Sequence, residues 1–306
     1  MELESLRGVH LPVTTPFRVA DGRFDDEGFA SNLRFWSEIS IAGVLVGGST
    51  GEAVLLEPSE FASAVRIARE TLPEDRTVLA GAGRQSTRAT IQACADAAAA
   101  GADAVLVLPP SYFRAQMTPD ALRLHFWEVA DASPVPVLLY HVPKFVPVDL
   151  VPDLVGELIR HGNIIGIKDS SGDIQNLGAL CEVCGEDASV LVGAGTHLYS
   201  GLEIGASGGI IAVGVLAAAE SADLYDAFIA GRMNEAGRLQ ERIGPLHRAV
   251  VAGTGVPGVK AALDMLGLVG GPPRSPLLPP NDDTRSRIRD ALTHAGLRLT
   301  APVARD

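Results

Sequence analysis

The chain has 306 residues, of which 47% are hydrophobic and 20% are charged, a balance typical of a folded protein rather than a disordered one. Its 25 basic and 37 acidic residues give a formal charge of −12, which argues against broad electrostatic binding to nucleic acid or to an anionic membrane. Only Lys144, Lys168 and Lys260 are lysines, so chemistry that needs an amine has three candidates.

Eight short apolar runs recur along the chain, with helical patterns between them. Because the runs are apolar throughout rather than alternating, they are typical of strands buried on both faces. Their spacing predicts an α/β fold, a closed TIM (β/α)8 barrel in which a helix follows each strand. The predicted strands cover residues 9–13, 43–47, 77–80, 104–108, 136–140, 164–168, 189–192 and 209–213. Helices are predicted over residues 57–71, 87–100, 118–130, 148–160 and 173–184.

After the eighth run the pattern is helical only. We therefore predict a barrel over residues 1–220 and a C-terminal helical extension over residues 221–306, packed on the barrel and interrupted at 253–258 and 270–280. A doubly wound open sheet is the competing fold, but it usually carries a glycine fingerprint after its first strand. Here that segment reads Thr14-Thr15-Pro16-Phe17, which favours the barrel.

The N-terminal segment, the longest uncharged stretch and the cysteines bear on location. Residues 1–10 include acidic side chains and no apolar core, which does not fit a secretory signal. The longest uncharged stretch, residues 204–219, is glycine-rich and shorter than the roughly 18 apolar residues of a membrane span. Cys181 and Cys184 have the spacing of half a zinc or redox site, but no second pair accompanies them. We expect a cytoplasmic protein without a membrane partner.

Reactive side chains stand where predicted strands end, which is where parallel barrels place their catalytic groups. The sixth strand ends at Lys168, the fifth at Tyr140, and the second at residues 47–52, Gly-Gly-Ser-Thr-Gly-Glu. An amine in an apolar interior loses its proton more easily, and the neutral amine is the nucleophile that Schiff-base formation with a carbonyl requires. A structural ion pair is the alternative for Lys168, although Asp169 would point to the opposite face of the strand.

Tyr140 and the turn of residues 47–52 each suit a role beside that amine. A phenol on the neighbouring strand suits a general acid and base, and a rim aromatic bound to backbone is the alternative. The turn offers backbone N–H groups and two hydroxyls, which suit a carboxylate or a phosphate. Glycine-rich turns at strand ends are common, so the turn alone indicates little.

Six motifs in one order give the chain a resemblance to a known family. They are Thr14-Thr15-Pro16-Phe17, the 47–52 turn, Pro110-Ser111-Tyr112-Phe113-Arg114, Tyr140-His141-Val142-Pro143, Gly166-Ile167-Lys168-Asp169 and Gly271-Pro272-Pro273-Arg274-Ser275-Pro276-Leu277. Together they resemble the pyruvate-dependent class I aldolases, the family that includes dihydrodipicolinate synthase and N-acetylneuraminate lyase. The resemblance covers nearly the whole chain and implies a carbon–carbon lyase that acts on a small 2-oxo acid.

The resemblance implies roles for the residues at the strand ends. Lys168 would form the Schiff base with the 2-oxo acid, usually pyruvate, and Tyr140 would move protons. Gly48, Ser49 and Thr50 would hold the substrate carboxylate, with Thr50 relaying protons between two tyrosines. No cofactor and no metal would be needed, because the iminium itself stabilises the carbanion.

Further positions carry over from the family with consequences for assembly. Tyr112 matches the second tyrosine of the relay, which reaches into the neighbouring subunit's site, so the resemblance implies a homodimer or a homotetramer. Gly193 after the seventh strand matches a substrate-binding position. Ile211 matches a residue that touches the substrate through its backbone.

One departure from the family pattern bears on specificity. Dihydrodipicolinate synthases have an arginine two residues beyond the proline of the Tyr140-x-x-Pro143 motif, where it receives the carboxylate of the aldehyde partner. Here that position is Phe145. The adjacent Lys144 cannot replace the arginine, because a lysine amine does not form the bidentate pair that a guanidinium forms with a carboxylate. Residues 168–173 and 254–260 instead resemble more closely the 4-hydroxy-2-oxoglutarate and 2-keto-3-deoxy-sugar-acid aldolase branches of the family.

The sequence therefore predicts a Schiff-base-forming class I aldolase that cleaves a 4-hydroxy-2-oxo acid reversibly, with pyruvate as one half. The alternative is a 4-hydroxy-tetrahydrodipicolinate synthase, which condenses pyruvate with aspartate semialdehyde. The same fold could also serve as a carboxylate-binding barrel without catalysis or as a phosphate-binding barrel enzyme. Lys260, in the predicted helical extension, is interpreted as structural.

Overall fold

A computed structural model describes residues 3–300, whose eight parallel strands close into a barrel in sequence order. The predicted TIM barrel is thereby confirmed, and each strand begins and ends within a few residues of its prediction. The strands are β1 (Gly8–Pro12), β2 (Gly43–Val46), β3 (Thr77–Gly81), β4 (Ala104–Val107), β5 (Val137–His141), β6 (Ile164–Asp169), β7 (Ser189–Val192) and β8 (Gly208–Ile210). Nearly every strand residue is buried, as strands covered by helices on one side and filled by side chains on the other require.

Helices follow the strands around the outside of the barrel and continue beyond it. They are α1 (Asp26–Ser37), α2 (Pro58–Thr71), α3 (Thr87–Ala99), α4 (Pro119–Ala132), α5 (Pro152–Leu158), α6 (Ile174–Cys184), α7 (Leu198–Glu203), α8 (Ala218–Ile229), α9 (Met233–Leu246), α10 (Gly253–Met265) and α11 (Asp282–His294). N-cap side chains stabilise the first turns of α3 and α4. The Ser86 hydroxyl accepts a hydrogen bond from the Ala89 N–H, and the Thr118 hydroxyl accepts one from the Ala121 N–H. Two of these helices, α1 and α7, were not predicted.

The strand register decides which side chains share the barrel interior. Tyr140 on β5 pairs with Lys168 on β6, and Lys168 pairs with Leu191 on β7. Leu191 in turn pairs with Gly208, which pairs with Gly8 on β1. Gly8 is therefore in register with Lys168. Because side chains alternate along a strand, His10, two residues after Gly8, lies on the same face of the sheet as Lys168. His141 and Asp169, one residue beyond the tyrosine and the lysine, face outward.

The C-terminal helices pack across the barrel and its last loops. The predicted boundary at residue 220 falls inside α8, which packs against β1 as the eighth barrel helix. After α9 the chain passes through a π-helical segment, His247–Ala252, into α10. The predicted break at 253–258 is a kink at Gly255, whose φ of 64° lies in the left-handed region. The outer ends of the two predicted units, residues 1–2 and 301–306, lie outside the described residues.

Two reciprocal hydrogen bonds tie this extension to the start of the barrel. The Asn32 side chain on α1 donates to the Val269 carbonyl and accepts from the Val269 N–H, both at 2.8 Å, and the asparagine is buried. Because each buried backbone group would otherwise lack a partner, this contact fixes the segment after α10 against α1. Across residues 3–300, the helices are all too short or too polar to cross a bilayer.

Candidate active site

Lys168 is a buried amine at the carboxyl end of β6. Its side chain is 5% exposed, and its Nζ lies 4.6 Å from the centre of the Tyr140 ring on the neighbouring strand. Burial lowers the pKa of Lys168 from its usual 10.5, and the nearby Tyr140 only partly opposes this effect. A larger fraction of the amine is therefore neutral near physiological pH than for an exposed lysine, which favours nucleophilic attack on a carbonyl.

Asp169 pairs with a histidine rather than with that lysine. Its carboxylate lies 2.7 Å from Nδ1 of His141 and accepts from the Ser171 hydroxyl at 2.6 Å. Burial lowers the pKa of His141, but the hydrogen bond with Asp169 and the nearby Asp149 carboxylate, 3.6 Å from Nε2, outweigh it and raise the pKa. The sequence did not single out this pair, which lies on the outer face of β5 and β6, directly behind Tyr140 and Lys168.

The turn after β2 brings two hydroxyl groups to the same end of the barrel. Gly47 has a φ of 62°, a left-handed conformation that starts the turn, and the Gly48 carbonyl accepts from the N–H groups of Gly51 and Ala53. The Ser49 hydroxyl lies 3.4 Å from the Tyr140 hydroxyl. Both Ser49 and Thr50 are half-buried, so part of each residue is accessible to a ligand. The structure thus brings Lys168, Tyr140 and Ser49 together.

A buried ion pair lies behind this turn. Glu52, the last residue of the turn, contacts the Lys260 amine on α10 at 2.7 Å, and both side chains are completely buried. The other carboxylate oxygen accepts from the Arg274 N–H at 2.8 Å. Burial lowers the pKa of Lys260 from its usual value, and the neighbouring Glu52 only partly opposes this shift. Sequence reasoning gave Glu52 no role, since a glutamate at the end of a glycine-rich turn has no local signal of burial.

Tyr112 projects from the loop after β4. Its ring is 82% exposed and meets the Phe113 ring edge-on, with 5.1 Å between the ring centres. The loop backbone beneath is held by Gln85, whose side-chain oxygen accepts from the N–H groups of Ser111 and Tyr112 at 2.9 Å. A large exposed aromatic on a fixed backbone is suited to contact with another molecule.

Gly193 and Ile211 lie at the ends of β7 and β8, on the same rim. Gly193 donates to the Asp169 carbonyl at 2.7 Å, and a side chain there would overlap the Ser170 hydroxyl. Ile211 is buried, and its carbonyl accepts from the Gly214 N–H at 3.0 Å. Gly193 thus holds the backbone next to Lys168, and a side chain at that position would also meet the Asp169 carbonyl.

The loop after β5 forms another part of the rim. Phe145 is 59% exposed, while the Lys144 amine donates to the Ala252 carbonyl at 3.4 Å and so reaches toward the π-helical segment. The position that the family gives to an arginine is thus an exposed aromatic here. Among residues 3–300, no cluster of three or more His, Cys, Asp or Glu side chains has the arrangement of a metal site.

The chain matches a known protein family over almost its full length. A model of the dihydrodipicolinate synthetase family matches residues 5–295. The chain belongs to that family. The 4-hydroxy-tetrahydrodipicolinate synthase of Methanothrix thermoacetophila is 36% identical over 288 residues, which are 94% of this chain and 96% of that protein. The predicted family and the predicted enzyme class, a class I aldolase and lyase, are confirmed by these matches.

Solved structures of family members superpose closely on this member of the dihydrodipicolinate synthetase family. The chloride-inhibited dihydrodipicolinate synthase from Acinetobacter baumannii, complexed with pyruvate, has a TM-score of 0.91 and 28% identity, covering 95% of this chain and 99% of that chain. A prophage protein of the family from E. coli, also in complex with pyruvate, has a TM-score of 0.90 at 28% identity, covering 95% and 99%. The relative from Methanothrix carries the name of the predicted alternative, the synthase, rather than of the aldolase branches.

Proposed function

We propose that Lys168 forms a Schiff base with pyruvate and that the enzyme makes or breaks a carbon–carbon bond at the pyruvate methyl carbon. The observation that carries this proposal is the buried Lys168 amine, 4.6 Å from the Tyr140 ring, with the Ser49 hydroxyl 3.4 Å from the tyrosine hydroxyl. A carbonyl acid fits this arrangement with its ketone at the amine and its carboxylate at the turn of Gly48, Ser49 and Thr50. Two solved relatives of the same fold are complexes with pyruvate.

The chemistry follows from the placement of these groups. The Lys168 Nζ attacks the C2 carbonyl, and the carbinolamine loses water, taking a proton from Tyr140, to give the iminium. Loss of a proton from C3 gives the enamine, whose C3 attacks the aldehyde carbon in the condensation direction. In cleavage, removal of the proton from the 4-hydroxyl of the substrate iminium breaks the C3–C4 bond, releases the aldehyde and leaves the pyruvate enamine. Protonation of this enamine at C3 restores the iminium. Water then hydrolyses the iminium and frees the amine.

The name of the Methanothrix relative favours aspartate semialdehyde as the aldehyde, which would make the chain a 4-hydroxy-tetrahydrodipicolinate synthase. The exposed Phe145 and the diverted Lys144 favour a second candidate, reversible cleavage of a 4-hydroxy-2-oxo acid with a less charged aldehyde half. Both reactions use pyruvate as one half. They differ in the aldehyde, which would bind beside the loop after β5.

We propose that the active unit is a homodimer or a homotetramer in which Tyr112 enters the partner's site and joins Thr50 and Tyr140 in a proton relay. The exposure of Tyr112 (82%) and of the adjacent Phe113 (65%) supports this, because neighbouring exposed apolar side chains often mark a protein–protein contact. The oligomer is testable by analytical ultracentrifugation together with the activity of Tyr112→Phe.

We place the enzyme in the cytoplasm. Cys94, Cys181 and Cys184 are all free thiols, which suits a reducing compartment. Burial of Cys94 and Cys184 and partial burial of Cys181 raise the pKa values of these thiols to about 11 or about 12, which leaves them protonated and unreactive.

Borohydride trapping with pyruvate tests the proposed function. Reduction converts the iminium to a stable secondary amine, and peptide mass mapping locates it. We expect a single adduct on Lys168, loss of the adduct in Lys168→Met, and full labelling in the control Lys144→Met. An adduct on another lysine, or none, would contradict the proposal. Parallel assays of aspartate semialdehyde condensation and of 4-hydroxy-2-oxo acid cleavage then choose between the two candidate reactions.

A further inference from the structure

Glu52 combines a strained backbone with a completely buried charge. Among residues 3–300 it is the one non-glycine residue with a left-handed φ, 56°. A side chain in that conformation costs free energy, and it persists only where surrounding contacts hold it. Those contacts are the Lys260 amine at 2.7 Å and the Arg274 N–H at 2.8 Å.

Lys260 holds the turn from a second direction. Its amine also donates to the Thr15 carbonyl at 2.8 Å, and the Thr15 hydroxyl donates to the Gly51 carbonyl at 2.8 Å. The Phe17 ring lies 4.4 Å from the same amine and closes this small buried cluster. One lysine on α10 thus contacts Glu52 directly and is linked to Gly51 through Thr15.

The turn so held is the one that carries Ser49 and Thr50. Ser49 lies three residues before Glu52, and its carbonyl accepts from the Glu52 N–H at 3.2 Å. A change in the position of Glu52 therefore moves the Ser49 carbonyl and hydroxyl relative to Tyr140, which lies 3.4 Å from that hydroxyl. Lys260 itself is completely buried and bonded on two sides, so it has no access to a substrate carbonyl.

We propose that Glu52 and Lys260 are a positioning pair that sets the carboxylate-binding turn for the 2-oxo acid, so that the C-terminal extension completes the active site. This inference rests on the proposed function, because it gives the pair a role in binding the same substrate. The pair acts on substrate affinity rather than on the bond-making step, since neither residue is in contact with Lys168 or with the Tyr140 hydroxyl.

The test uses the full-length enzyme and measures borohydride trapping against pyruvate concentration, by intact mass. The main variant is the double substitution Glu52→Gln with Lys260→Met, which removes both charges while keeping similar volumes. Such charge-neutral replacements of a buried ion pair are often tolerated, whereas a single substitution leaves an unpaired buried charge. A second variant, Thr15→Val, removes only the hydroxyl that holds Gly51. The matched control is Glu220→Gln, which breaks an ion pair with Arg242 between α8 and α9.

We expect the double variant to need about tenfold to a hundredfold more pyruvate for half-maximal trapping, a range set by what small displacements of binding groups cost. Its maximal trapping rate at saturating pyruvate should stay within about threefold of wild type, since Lys168 and Tyr140 are untouched. Thr15→Val should shift the half-saturating concentration in the same direction, and Glu220→Gln should leave it unchanged.

Two results would overturn the inference. One is an unchanged half-saturating concentration in the folded double variant, or in Thr15→Val if the double variant does not fold. The other is a fall in maximal rate that exceeds the rise in half-saturating concentration. Absence of any adduct in the wild-type enzyme is a different result, because it removes the proposed function and the inference with it.

Discussion

The imidazole of His10 lies inside the barrel, on the same face of the sheet as Lys168, and it is completely buried. Burial lowers the pKa of His10 from 6.5 to about 4, with the Ser5 carbonyl opposing the shift. The folded protein therefore keeps this ring neutral at pH values where the unfolded chain binds a proton. Each pKa unit corresponds to about 1.4 kcal/mol, so the full effect on the free energy of unfolding is about 3 kcal/mol.

The sign follows from which state binds the proton. Above pH 6.5 the ring is neutral in both states, and the stability is unaffected by this residue. As the pH falls below 6.5, the unfolded chain is protonated first, so stability declines until the folded ring also titrates near pH 4. At pH 5 the loss caused by His10 is about 2 kcal/mol.

Equilibrium unfolding in urea at pH 7.5 and pH 5, at one protein concentration, measures this effect. The variant is His10→Leu, which cannot titrate, and the control is Leu138→Val, a buried change on the same face of β5. Relative to wild type, His10→Leu should gain about 2 kcal/mol between pH 7.5 and pH 5. For Leu138→Val, the difference from wild type in the free energy of unfolding should be the same at both pH values. A change below about 0.5 kcal/mol for His10→Leu would refute the reasoning, because additive measurements agree to that level.

Three further predictions concern the site and its support. Tyr140→Phe should lower turnover about 10²- to 10⁴-fold in steady-state assays while intact mass still shows the pyruvate adduct, because the phenol only moves protons. The raised pKa of His141 means that its pairing with Asp169 stabilises the fold below pH 6.5 and that this contribution is lost as the pH rises through the raised pKa. His141→Asn should therefore show a smaller fall in melting temperature between pH 6 and pH 9 than wild type does. Asn32→Ala should cost about 2–4 kcal/mol in urea unfolding, since it leaves both backbone groups of Val269 unpaired, and a cost below about 0.5 kcal/mol would contradict that interpretation.

The strands were predictable because burial on both faces produces short apolar runs in the sequence. The same runs located Lys168 and Tyr140, since a lysine that ends an apolar strand stands out against its neighbours. Helix α1 escaped prediction because Gly28 and Asn32 weaken its helical pattern. The Asn32 side chain bonds to Val269, which is 237 residues away in the chain, so no local pattern indicates its role.

The contacts that support the site were not predictable, because they join residues that are far apart in the sequence. Glu52 and Lys260 are 208 residues apart, and no local pattern links a glutamate after a glycine-rich turn to a lysine in a late helix. The pairing of His141 with Asp169 depends on the register between β5 and β6, which the sequence of either strand alone does not specify. Local residue chemistry suggested the groups that we propose to react. The side chains that hold those groups in place depend on contacts between segments far apart in the chain, which no local pattern specifies.

The distance between Glu52 and Lys260 has a consequence for synthesis of the enzyme. A ribosome releases the carboxylate about 200 residues before the amine that neutralises it, in the N- to C-terminal order of translation. A nascent chain that has completed all eight strands already holds Lys168, Tyr140 and the hydroxyls of Ser49 and Thr50. It still lacks α10, so the turn meant for the substrate carboxylate has an uncompensated charge behind it. On the proposed role of the pair, competence to bind a 2-oxo acid arrives near the end of translation, and a prematurely terminated product that carries Lys168, Tyr140, Ser49 and Thr50 is expected to be a poor enzyme.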